Sequence, residues 1–234
     1  MNDPFGEAIQ DYFEKGKAPI IKVNSNYTEN EEILPSYFFR TEKEMPKIEQ
    51  KALKFCRGRV LDVGAAAGCH SIILQKKGYS ITAIEKSQLA SEVLIKRGIQ
   101  RVINKDIYEF DEGNFDTILL LMNGAGIGET TKGLLNLLIH LKMLLSSNGQ
   151  ILIDSSDISY LFEEEDGSAW VDLANPDYYG EMIYTVRYKK SVTEFKWLFI
   201  DPSKMKEITE KAGLKYSLID SGTHYDYLAR LTRK

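Results

Sequence analysis

The chain lacks the features that mark several large classes of protein. Its 234 residues hold only two cysteines, Cys56 and Cys69, which form no Cys-x-x-Cys pair, so neither a disulfide framework nor a zinc site is expected. No apolar run approaches the roughly 18 residues that a bilayer-spanning helix needs. The N-terminus has no basic start followed by an apolar stretch, and the expectation is a soluble, unexported, cytoplasmic protein without membrane contact. An excess of basic charge is missing too: 30 Lys and Arg against 34 Asp and Glu leave a formal net charge of -4, which gives no electrostatic footprint for nucleic acid. Internal repeats and low-complexity tracts are absent, and a hydrophobic fraction of 43% is enough for one well-buried domain.

What is present is a rhythm of short apolar runs and helical patterns from Arg59 onward. Val60 to Val63 reads as a strand that ends in the turn Gly64-Ala65-Ala66-Ala67-Gly68 and runs into a helix from Cys69 to Lys77. Strands are expected again at Ser80 to Ile84, Val102 to Asn104, Phe115 to Leu121 and Gln150 to Asp154, with helices over Leu89 to Arg97 and from Thr130 or Thr131 to Ser147. Such alternation calls for βαβ units and a largely parallel sheet. Ahead of it lie a short helix (Ala8 to Glu14), a polar loop and a helix near Lys47 to Phe55. Behind it come a hairpin-like pair (Met182 to Lys189 and Glu194 to Ile200), a helix after Pro202, and strands at Tyr216 to Ile219 and Tyr227 to Leu231.

Four positions fall at the carboxyl ends of successive strands: the Gly64 to Gly68 turn, Glu85, Asp106 and Asn123. In an open parallel sheet that edge is where ligands bind. Small residues let a ligand reach bare backbone, and the helix start offers free N-H groups to an anion. Glu85, about 20 residues beyond the turn, is placed to accept hydrogen bonds from ribose hydroxyls. Asp106 is placed to face an exocyclic amine.

These residues resemble the class I S-adenosylmethionine-dependent methyltransferases. Val60-Leu61-Asp62-Val63-Gly64-Ala65-Ala66-Ala67-Gly68 is similar to the first motif of that family, with Ala66 where the middle glycine usually stands. Ala83 to Ser87, Asn104 to Ile107, Phe115 to Leu119 and Leu144 to Ile151 resemble later segments, Asn148-Gly149 standing where Pro-Gly is common. The resemblance implies a Rossmann-like, doubly wound α/β fold: a mostly parallel seven-stranded sheet, helices on both faces and an antiparallel C-terminal edge. It further implies S-adenosyl-L-methionine as cofactor, with Gly64, Ala66 and Gly68 near its methionine part and Asp62 supporting the turn or the amino group. Glu85, with Lys86 beside it, would lie at the ribose, Asp106 and Ile107 at the adenine, Asn123 and Gly124 near the amine, and Arg40 on the carboxylate.

Methyl transfer needs little more than positioning, because the donor arrives activated, so no fixed catalytic residue is required. His224, Tyr12 and Asp154 are the candidates for a base. Asp154, Asp157 and Asn123 form a conceivable oxygen set for magnesium, although no metal is assigned. An acidic, aromatic stretch from Ser155 to Glu181, with Trp170, Tyr178 and Tyr179, suits a rim insertion over a cationic or flat acceptor. The expected organisation is one domain: 1–50 a cap, 51–154 the cofactor-binding core, 155–181 the insertion, and 182–234 strands and a helix completing the sheet. The expected partner is a small-molecule methyl acceptor. Two alternatives are an NAD(P)-dependent oxidoreductase, which Cys69 in place of a third glycine disfavours, and a non-catalytic cofactor-binding partner protein.

Overall fold

Strands with unbroken apolar runs must be covered on both faces, and helices do this on both sides of the central sheet. The computed structural model describes residues 2–162 and 177–234. In chain order the elements are α1 (Pro4–Lys15), β1 (Ile21–Ser25), β2 (Glu31–Ile33), α2 (Lys47–Phe55), β3 (Arg59–Val63), α3 (Cys69–Lys76), β4 (Ser80–Glu85), α4 (Gln88–Lys96), β5 (Val102–Asn104), β6 (Phe115–Leu120), α5 (Thr131–Leu144), β7 (Leu145–Ser156), β8 (Glu181–Tyr188), β9 (Ser191–Leu198), α6 (Pro202–Lys211), β10 (Leu214–Ser221) and β11 (Asp226–Arg233). None of the described helices is long and apolar enough to cross a membrane.

The main sheet has seven strands in the order β10-β11-β7-β6-β3-β4-β5. β7, β6, β3, β4 and β5 run parallel; at one edge β11 pairs antiparallel with β7, and β10 pairs antiparallel with β11. Successive side chains on a strand point to opposite faces, and the two main cores divide on that parity. Leu61, Ile118, Ile151 and Ala229 face α5 and α6, where Leu134, Leu137, Leu138, Leu141 and Met205 are buried against them. Their neighbours Val60, Leu119, Leu152 and Leu228 face α2 and α3, packing with Ile48, Ala52, Leu53 and Leu74. Cys56 and Cys69 are buried free thiols.

β8 and β9 do not complete this sheet, contrary to the sequence reading. They join β1 and β2 in a second, four-stranded sheet of order β2-β1-β8-β9, with Val23 opposite Val186 and Lys22 opposite Arg187. The supposed polar loop before the core therefore contains two strands. The physical reason lies in the burial pattern. Ile21 and Val23 are buried while Lys22 and Asn24 are exposed, which is the pattern of a sheet with one wet face. α1 packs under this sheet, and together they form a cap whose core includes Ile9, Ile21, Phe38, Val186 and Tyr188, with Ala66, Ala67 and Met122 of the core domain against it. β7 is also longer than expected. Leu145 pairs with Phe115, and a register shift at the Ser147-Asn148-Gly149 segment brings Gln150 opposite Thr117.

Candidate functional site

The turn after β3 is pinned to the neighbouring strand. Gly64 and Ala65 both donate their N-H groups to the Ile84 carbonyl, at 2.9 and 3.2 Å. Gly64 has φ +70 and is exposed, and a Cβ there would meet only Ile127 at 3.4 Å. Backbone is thus open to an incoming group at that point. Gly68, at φ +80, has no such freedom, since a Cβ would come within 2.5 Å of Leu94. Ala66 holds φ +49, unusual for a residue with a Cβ. Its methyl group packs against the cap, and its N-H donates to Glu85 Oε2 at 2.9 Å.

Glu85 closes β4, and its other oxygen accepts the Ser87 N-H at 2.8 Å. Burial raises its pKa, and the two backbone N-H groups pull the other way. Each oxygen takes one N-H and keeps a second acceptor direction. Ser87 caps α4 and donates to Asp3 at 2.5 Å, which ties the first turn of α1 to this corner. Lys86 is exposed, and its carbonyl accepts from Asn104. Asp106 accepts the Tyr108 N-H at 3.0 Å with Ile107 buried beside it. Asp62 is buried beneath the turn and accepts the Ser71 hydroxyl at 2.6 Å.

Beyond β6, Met122 and Asn123 both adopt the left-handed conformation, at φ +67 and +56. Asp154 fixes that bend from β7, accepting the Met122 N-H at 3.0 Å and the Gly124 N-H at 2.9 Å. Burial, opposed by Gly124's N-H and reinforced by the charge of Glu49, pushes the Asp154 carboxyl up to about 7. Asn123 accepts the Ser156 hydroxyl at 2.9 Å. These groups wall a cavity of about 130 Å³, completed by Tyr37, Pro46, Ile48, Glu49 and Asp226. A wider surface groove of about 560 Å³ between α2 and β10, lined by Lys47, Lys51, Lys54 and Asp220, touches none of them.

Arg40 is not free for a ligand in the way its sequence position suggests. It is buried, stacks 3.6 Å from the centre of the Tyr37 ring, and donates Nη2 to Glu49 at 3.0 Å. The same Glu49 oxygen lies 2.7 Å from His70 Nε2. Burial alone would lower the His70 pKa, but Cys69, Glu49 and Asp62 outweigh it and hold it well above the usual value. Arg40 Nη1 remains buried without a partner. Glu49 and His70 were missed as site residues. The signal was present: Glu49 sits beside Ile48 and three residues before Ala52 on the apolar face of α2, where a carboxylate demands a partner.

The other candidates separate. Tyr12 packs on Phe39 at 4.8 Å inside the cap and does not line the cavity, so the structure does not bring it to the site. His224 is exposed in the β10-β11 turn, its N-H directed to Asp226. Asp157 accepts from Tyr179 and from the Ser159 N-H, and among the described residues no group of three or more His, Cys, Asp or Glu has the arrangement of a metal site. Trp170 and the acids between 163 and 172 lie outside the described residues.

Known proteins place this geometry. Protein-family models return no match, and neither do curated proteins. Among solved structures, the chain is similar to an S-adenosylmethionine-dependent methyltransferase from Bacteroides fragilis in complex with S-adenosyl-L-homocysteine: 40% identical, covering 99% of this chain and 95% of that one, with a TM-score of 0.93. It shares its fold alone with the CcbJ methyltransferase of Streptomyces caelestis (13% identical, 83% and 99% covered, TM-score 0.62). The same holds for the sugar N-methyltransferase KedS8 of Streptoalloteichus sp ATCC 53650 (15%, 90% and 97%, TM-score 0.56).

Proposed function

The chain belongs to the class I S-adenosylmethionine-dependent methyltransferases, and from that premise we propose that it methylates a small molecule held over the carboxyl ends of β6 and β7. The dinucleotide alternative falls with the family assignment. So does the non-catalytic one, and the protein is a methyltransferase enzyme that uses S-adenosylmethionine.

The residues present fit the cofactor. Open backbone at Gly64, the spare acceptor directions of Glu85 and the unpartnered Arg40 Nη1 are the three observations that support it. In this reading Glu85 holds the ribose hydroxyls and Asp106 with Ile107 brackets the adenine. Arg40 Nη1 and the first N-H groups of α3 receive the carboxylate. Asp62 supports the turn through Ser71, and Lys86 shields the ribose from outside. Asn123 and Gly124, bent by Asp154, present backbone to the amine end. Bound there, the cofactor supplies a methyl group on a positively charged sulfur. The chain's own contribution is orientation and exclusion of water by the cap. We read the chain as one working unit in which α1 and the four-stranded sheet form the cap.

The single observation that carries the small-acceptor reading is the cavity of about 130 Å³ between Tyr37, Asn123, Asp154 and Asp226, which has room for a functional group and not for a folded partner. Incubation with a methyl-labelled donor and a cell extract split by size tests it. Label is expected in the low-mass fraction; label recovered only in protein or nucleic acid would reject the reading.

A further inference from the structure

The order of the strands gives the site a direction. Glu85 closes β4 and Asp106 follows β5 on one side of β3, while Asn123 follows β6 and Asp154 lies in β7 on the other. A ligand lying along this edge with its ribose at Glu85 and its adenine at Asp106 points its far end towards the cavity walled by Tyr37, Asn123, Asp154 and Asp226. The acceptor atom must therefore reach the methyl group from that cavity, and the cavity's chemistry selects the acceptor.

That chemistry is one-sided. Among the described residues lining the cavity, the charged groups are Glu49, Asp154 and Asp226, and none is cationic. Glu49 is already neutralised by Arg40 at 3.0 Å and by His70. Asp154 and Asp226 form no ion pair with a lysine or arginine among the described residues; the Asp154 carboxyl accepts the N-H groups of Met122 and Gly124 and feels the charge of His70, and the Asp226 carboxyl accepts the N-H of His224. Two carboxylates facing one small space favour a positive group between them. The chain segments that continue from Asp226 and Ser156 carry aromatic side chains. Tyr225, next to Asp226, accepts the Asp157 N-H through its carbonyl and stacks on Tyr160 at 4.8 Å. Tyr179, hydrogen-bonded to Asp157, meets Phe162, which in turn meets Tyr27. Tyr225 and Tyr160 remain 59% and 43% exposed, so flat apolar surface is available on the segment next to Asp226.

We propose that the acceptor is an amine on an apolar or aromatic body, entering as its ammonium, with Asp226 and Asp154 receiving the positive head and the Tyr160-Tyr225 pair receiving the body. The inference rests on the methyltransferase reading above. An ammonium has no lone pair to give, so it must first lose a proton, which Asp154 takes. The nitrogen lone pair then forms the new N-C bond while the C-S bond breaks and its electrons stay on sulfur. Products are a thioether and an N-methylated ammonium, and charge is conserved. With a carboxyl pushed up to about 7, Asp154 releases that proton again near neutral pH.

Calorimetric titration of the protein saturated with S-adenosylhomocysteine decides it, using three probes of one shape: tyramine, its alcohol counterpart tyrosol, and 4-hydroxyphenylacetate. Tyramine is expected to bind about tenfold or more tighter than tyrosol, the carboxylate weakest, and Asp226→Asn is expected to bring tyramine to the level of tyrosol. S-adenosylhomocysteine affinity should be the same in both proteins, which separates a lost acceptor contact from a damaged fold. Equal binding of the probes, tighter binding of tyrosol or the carboxylate, or binding of none of them overturns the proposal. If the protein takes up no S-adenosylhomocysteine at all, the methyltransferase reading of the site fails first; uptake without an amine preference sinks only the amine.

Discussion

Glu49→Gln isolates the buried ionic cluster that joins Arg40 to α2 and α3. Arg40, Glu49 and His70 are 8%, 3% and 5% exposed, and one Glu49 oxygen serves both neighbours, at 3.0 and 2.7 Å. The amide keeps the shape of the side chain and one acceptor oxygen but removes the charge, leaving the Arg40 guanidinium buried without a counter-ion. Breaking a buried pair in this way costs about 3 to 5 kcal/mol. For a chain of this size that corresponds to a fall in Tm of roughly 6 to 20 °C, at about 2 to 4 °C per kcal/mol. Urea unfolding followed by tryptophan fluorescence provides the assay. The double variant Arg40→Met, Glu49→Leu removes the charges of that pair, and His70, no longer held protonated by Glu49, can shed its proton. Most of the loss should then be recovered, because an apolar pair replaces a buried ion pair at little cost. A loss below about 1 kcal/mol in Glu49→Gln, or a double variant less stable than the single one, would refute the reasoning, since an orphaned buried charge is what the magnitude rests on.

Three further outcomes follow from the same geometry. The His70 pKa is raised in the folded state, so its stabilisation is complete below about 6.5 and is lost as pH rises through the higher folded value; unfolding measured from neutral to alkaline pH should show a decline that His70→Asn flattens, and an identical slope would count against it. Asp154 is raised from 3.8 to about 7, so the folded chain loses stability as pH climbs between those values, and Asp154→Asn should remove that part of the slope in the same titration. Gly68→Ala combines a left-handed residue with a Cβ 2.5 Å from the buried Leu94, for a cost of about 2 kcal/mol or more by chemical denaturation, and a variant of wild-type stability would show that the turn relaxes freely.

The core of the fold was legible because its signals are local. The apolar run of β6, the leucines of α5 and the glycines after α3 and α4 mark βαβ units within short windows, and the acids Glu85 and Asp106 then fall at strand ends by spacing alone; the stop expected at Ser147-Asn148-Gly149 lies inside β7 instead. The cap was not legible in the same way. β1 and β8 pair although Val23 and Val186 are far apart in the chain, and short alternating strands do not name their partner. Arg40 shows the same limit at the level of a side chain. Sequence places an arginine ahead of the core and suggests a ligand carboxylate, whereas burial first requires a counter-ion, and Glu49 supplies it from the buried face of α2. Tyr12 was drawn to the site by chemistry and is held away from it by packing on Phe39. Ala66, the departure from the glycine pattern, has its explanation in the cap: its methyl group packs there while its N-H holds Glu85.

The central claim is that the turn after β3 and the carboxylate ending β4 form the methyl-donor site. Calorimetric titration of S-adenosylhomocysteine into the wild-type protein and into Glu85→Ala tests it most directly. One site per chain is expected in the wild type, and loss of the charged acceptor for two ribose hydroxyls should weaken binding by about a hundredfold, since a hydrogen bond to a charged group contributes about 1.5 to 3 kcal/mol. Unchanged affinity in the variant would contradict the account.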